Sequence, residues 1–151
     1  QRGKRTDEYI GAMRALWESD SPTYKGNYVD FKNANCRPQP VNGTIPIVIG
    51  GHSKAAARRA GKLGNGFFPA RGAPEPVIEL ARQTAIENGR DPAELEITLS
   101  MPEDPNDIPA LAKLGVSRLM IPVSPMSGLI SVSTPEDVLR LRDIVEKYAD
   151  T

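Results

Sequence analysis

The feature that most constrains this chain is a repeated pairing of a short apolar run with a helix-forming stretch. Ile45-Pro46-Ile47-Val48-Ile49 is almost wholly β-branched and ends at Gly50-Gly51. A run of that kind reads as a parallel strand buried on both faces, with Pro46 confined to its first residues. Ser53 to Leu63 follows as a helix, with Ser53 as N-cap, an apolar stripe at Ala56, Ala57, Ala60 and Leu63, and Gly64 as the stop. Gly66 to Ala70 is the second strand, and Pro74 to Asn88 the next helix, buried through Val77, Ile78, Ala81 and Ala85. Leu95 to Met101 is the third strand, Asp107 to Leu114 a short helix, and Arg118 to Val123 the fourth strand. The last helix carries Thr134 as N-cap, Pro135 at its first position and Val138, Leu141, Val145 and Tyr148 along one face.

Ahead of these units, apolar residues Tyr9, Ile10, Met13, Leu16 and Trp17 recur at helical spacing, with Thr6 as N-cap and Asp7 and Glu8 in the first turn. Residues 20–44 are rich in Pro, Gly and Asn, and Tyr24, Tyr28, Val29 and Phe31 around Gly26-Asn27 suit a small hairpin or packed loop. Parallel strands joined by helices admit two solutions, a doubly wound open sheet or a (β/α)8 barrel. A whole barrel takes about 250 residues, so four units and a leading helix in 151 residues fit half of one. Periodicity alone leaves a small open sheet equally admissible.

Composition removes other classes. Nineteen basic and nineteen acidic side chains balance, which gives no support to a nucleic-acid or membrane partner. Cys36 is the single cysteine and His52 the single histidine, so neither a disulfide framework nor a zinc-type cluster is available, and no metal site is expected. No apolar run approaches the roughly 18 to 20 residues of a membrane helix, and no signal peptide is evident; a cytoplasmic location is expected. The chain opens on Gln1 and runs directly into a helical pattern, as a segment starting in mid-domain would.

The junction Ile49-Gly50-Gly51-His52-Ser53 is the clearest candidate site. Glycines permit the turn, the first helical N–H groups are unpaired, and a serine hydroxyl stands beside them, the elements of a phosphate cradle. A tight turn with an N-cap has the same residues. The lysine follows the serine, which excludes a Walker loop, and the third glycine of the dinucleotide fingerprint is missing.

Beyond these local readings, a set of segments resembles the luciferase-like monooxygenase family. They are Arg5 to Ile10, Ala15-Leu16-Trp17, Tyr24-Lys25-Gly26, Arg37 to Val41, Ile45 to Ser53, Ala57 to Ala60, Gly64 to Pro69, Gly89-Arg90-Asp91-Pro92 and Leu114-Gly115-Val116. The nearest likeness is the branch that uses the deazaflavin coenzyme F420. The resemblance implies a single partial domain over residues 1–151, the C-terminal half of a (β/α)8 TIM barrel. It also implies part of a flavin- or F420-dependent oxidoreductase, with hydride transfer or, with FMN, oxygen activation at the barrel mouth. Cofactor binding then falls to Gly50, Gly51, His52, Ser53, Pro69 and Ala70, and substrate contact to Arg71, Met126 and Ser127. No catalytic residue is assigned, because the family's proton-transfer groups belong to the other half, and this half alone is expected to be inactive. Asn65 departs from the family's usual aspartate, at the end of the barrel away from the mouth. A half-barrel for another phosphorylated metabolite, or a non-catalytic chain pairing with a second copy through open strand edges, are the competing expectations.

Overall fold

The computed structural model describes residues 1–69, 74–121, 134–139 and 141–148. Helix α1 (Arg2–Glu18) leads into a two-stranded antiparallel hairpin, β1 (Tyr24–Lys25) with β2 (Asp30–Phe31). Then come β3 (Val48–Gly50), α2 (Lys54–Leu63), β4 (Gly66–Phe68), α3 (Glu75–Glu87), β5 (Glu96–Ser100), α4 (Ile108–Lys113) and β6 (Arg118–Met120). Two short helices, α5 (Pro135–Leu139) and α6 (Arg142–Tyr148), close the described chain.

Strands β3 to β6 pair in parallel and in sequential order, with Val48 opposite Gly66, Gly66 opposite Glu96 and Thr98 opposite Arg118. A doubly wound sheet reverses its order at a switch point, whereas a barrel wall advances one strand at a time. The order here is that of a barrel wall. Alternate strand residues sort onto two faces. Ile49, Phe67, Ile97 and Leu99 pack with Ala56, Ala57, Ala60, Ile78 and Ala81 of α2 and α3 to form the core. Val48, Gly50, Ser100 and Met120 lie on the other face and are exposed.

Close helix packing is permitted by Gly61, where a Cβ would stand 2.8 Å from Thr84 Cβ and 2.9 Å from Ala85 N. The carbonyls at the end of α2 are capped from outside by Arg90, whose guanidinium donates to Gly61 O and Gly64 O, both at 2.6 Å. At the base of β3, the Asn65 side-chain oxygen accepts Ile47 N–H at 3.0 Å, while Asn65 N–H donates to Ile47 O at 2.8 Å. Arg14 of α1 reaches the same amide and the neighbouring Leu63 carbonyl.

Several expectations require correction. Helix α1 begins at Arg2, so Thr6 lies inside it and its hydroxyl donates to Arg2 O at 3.0 Å in place of capping. The residues before Thr6 include good helix formers and no stop signal. Its buried positions are Ile10 and Ala12, whereas Tyr9 and Met13 are exposed. Strand β3 starts at Val48, three residues late, since Pro46 has no N–H to donate and the Ile47 backbone is taken by Asn65. The last helix is two helices, and of its expected apolar face Leu141 is buried while Val138 and Val145 are exposed. The hairpin at 24–31, the Ser53 cap and the helices over 75–87 and 108–113 are as expected.

Candidate functional site

The corner between β3 and α2 is shaped by Gly51. Its φ of +123° lies outside the range ordinary L residues adopt, and its N–H donates to Phe68 O of the adjacent strand at 3.0 Å. That bond ties the exit of β3 to the end of β4. It also occupies the Gly51 amide, so Gly51 serves the corner through its conformation. The free donors are those that follow. Ser53 caps α2 by accepting Ala56 N–H on its Oγ at 3.2 Å, which leaves the hydroxyl proton to donate elsewhere. The N–H groups of Lys54 and Ala55 precede the first intrahelical donor and point past the helix start.

Gly50 faces open space, with no atom within 4 Å of where a Cβ would stand. His52 and Ser53 are exposed beside it, and Pro69, one residue beyond β4, is buried. The structure thus brings Gly50, Gly51, His52, Ser53 and Pro69 to one end of two adjacent strands. Ala70, Arg71, Met126 and Ser127 lie outside the described residues. The arrangement offers backbone and hydroxyl donors at a helix N-terminus, which suits an anionic oxygen cluster such as phosphate. It offers no positioned acid or base. Among the described residues no group of His, Cys, Asp or Glu could hold a metal ion, and no helix is long and apolar enough to cross a membrane.

A separate cleft of about 490 Å³ lies between β6, α4 and α6, lined by Met101, Ile108, Leu111, Val116, Leu119 and Tyr148. Its lining also takes in Ser117, which precedes β6, and Ile121, which follows it.

Three polar contacts escaped the sequence reading. Arg59 pairs with Asp7, joining α2 to α1. Arg90 caps α2, and only its place in Gly89-Arg90-Asp91-Pro92 signalled it. Glu8 accepts the N–H groups of Asn27, Tyr28 and Val29, the last two at 2.6 and 2.8 Å, and so holds the hairpin against α1. Burial raises the Glu8 carboxyl, but the bonds from Tyr28, Asn27 and Val29 together outweigh it and hold the group below its usual range.

Residues 1–113 match the family described as luciferase-like monooxygenase. Over 114 residues the chain is 30% identical to an F420-dependent glucose-6-phosphate dehydrogenase of Mycobacterium tuberculosis, covering 70% of this chain and 34% of that one. It is 32% identical over 68 residues to an FMNH2-dependent dimethylsulfone monooxygenase of Pseudomonas fluorescens, covering 45% of this chain and 18% of the relative. An F420-dependent secondary alcohol dehydrogenase, solved with an F420-acetone adduct, superposes with a TM-score of 0.60 at 25% identity, covering 97% of this chain and 47% of that one. The chain therefore spans about a third to a half of the length of such relatives. Its α/β fold, with a sequential parallel sheet, is part of a (β/α)8 barrel. The chain belongs to the luciferase-like monooxygenase family.

Proposed function

We propose that this chain supplies the phosphate corner of an F420- or FMN-dependent oxidoreductase, as the C-terminal half of its barrel. The observation that carries this reading is the Gly50-Gly51-His52-Ser53 junction. Open space at Gly50, the φ of +123° at Gly51 and unpaired donors at the start of α2 lie together at the end of a parallel strand. A bound flavin or deazaflavin supplies hydride transfer, or with FMN the activation of oxygen. The residues here would contribute placement: the His52, Ser53, Lys54 and Ala55 N–H groups and the Ser53 hydroxyl toward phosphate, with Pro69 and Ala70 along the adjoining wall. Arg71, Met126 and Ser127 follow strand ends and would border a small-molecule substrate. Acid-base chemistry is left to the strands this sequence does not contain.

The test is a titration with F420 and with FMN, read by Trp17 or cofactor fluorescence. It is run on this chain and on a chain completed with the other barrel half. Saturable binding that Gly51→Val abolishes supports the corner, since a β-branched residue resists that φ. Binding by the completed chain that is unaffected by Gly51→Val and Ser53→Ala would place the phosphate elsewhere and sink the reading.

A further inference from the structure

Helix α2 reads Lys-Ala-Ala-Ala-Arg-Arg-Ala-Gly-Lys-Leu, four cations and no carboxylate, in a chain whose charges balance only as a whole. Arg59 is turned toward α1 and paired with Asp7. The other three, Lys54, Arg58 and Lys62, stand at i, i+4 and i+8, so they share one face, and all three are exposed. Among the described residues none of the three has an ion pair or a side-chain hydrogen bond.

Helix physics disfavours this placement. Like charges four residues apart repel, and Lys54 occupies the first turn, where the macrodipole favours an anion. A bound polyanion running from the helix start along its outer face would reverse both effects.

We propose that Lys54, Arg58 and Lys62 form a track for the γ-linked glutamate tail of the deazaflavin coenzyme. The inference rests on the reading that the Gly50 to Ser53 corner holds that coenzyme's phosphate. FMN ends at its phosphate, whereas F420 continues beyond it into successive carboxylates. Each γ-glutamyl unit adds five backbone bonds, an advance of about 6 Å when extended. Positions four apart on a helix also advance about 6 Å. Carboxylates and cations therefore keep step along the helix, beginning at the residue that follows Ser53. The track selects the tail and, through it, F420 over FMN.

The experiment compares short-tailed F420, long-tailed F420 and FMN on the completed chain. Its arms are the natural sequence and an Arg58→Gln, Lys62→Gln double variant, which leaves the phosphate corner intact. The natural sequence is expected to bind the long tail about tenfold more tightly than the short one, an advantage that shrinks with added salt. The double variant is expected to lose most of that advantage and to leave FMN affinity unchanged. Affinity independent of tail length in the natural sequence overturns the proposal without recourse to any variant. So does an equal loss for FMN, or equal competition by a short oligonucleotide, which would mark an unselective basic surface. If neither cofactor binds, the corner reading fails and the track fails with it. If both bind without regard to tail, only the track fails.

Discussion

The region built from β3, α2, β4, α3 and β5 and the region built from β6, α5 and α6 draw on the same residue types, and they pack very differently. In the first, Phe67 and Ile97 are fully buried, α2 and α3 meet through Gly61, and Arg90 closes the end of α2. In the second, Val138, Leu139 and Val145 are each more than half exposed, and the 490 Å³ cleft separates α6 from β6 and α4. Side chains exposed to that extent gain little from burial, so among the described residues these positions of the second region add less cohesion than the core of the first. The lesson is that helical periodicity places an apolar face without saying what covers it. The corner at Gly50 stands on the well-packed region, as a site requiring fixed geometry must.

Three measurements would break or sharpen that contrast. The largest effect is expected at Phe67. Replacing it with Ala should cost about 3–5 kcal/mol in urea unfolding, while Val145→Ala should change stability by less than about 0.5 kcal/mol. Equal costs at the two positions would erase the distinction between regions. Next, Gly61→Ala should destabilise by about 1–3 kcal/mol, because the added methyl meets Thr84 and Ala85 across the helix interface. A neutral result would show that α2 and α3 can part without penalty.

The smallest effect concerns the hairpin, which Glu8 of α1 holds through three backbone amides beside the Arg5 guanidinium over the Tyr28 ring. The Glu8 carboxyl is depressed in the folded chain relative to 4.5, so its stabilising contribution is complete above that value. It is lost as pH falls below 4.5 and through the folded value. Amide exchange at Tyr28 and Val29 should therefore gain in relative rate across that acid window, after correction for intrinsic exchange, and Glu8→Gln should flatten the response. An acid response that persists in Glu8→Gln would assign the tie to another group.

The alternation of strand and helix, the 24–31 hairpin and the Ser53 cap were legible because each rests on residues close in sequence. Ile49, Phe67 and Ile97 announce buried strands, and Gly89 and Gly115 announce helix stops, with φ of +71° and +72°. What escaped depends on residues far apart. Nothing local distinguishes Glu8 from any acidic residue of an early helical turn, yet it collects three amides nineteen to twenty-one positions away. Nothing local names a partner for Arg59, and only the folding of α1 against α2 places Asp7 there. The faces of α5 and α6 differ for the opposite reason: the period is correct, yet Leu141 is buried while Val138 and Val145 are exposed. At the site, spacing located the corner but could not show that the Gly51 amide is already engaged by Phe68.

Asn65 has a consequence that reaches the other end of the strand. It grips both backbone groups of Ile47, and β3 is only three residues long, so about 10 Å of chain separates this grip from Gly50. A short rigid rod clamped at its foot transmits any tilt to its tip. Changes at Asn65 or Arg14 should therefore register first as a loss of precision in how the mouth presents its donors, before the fold itself gives way.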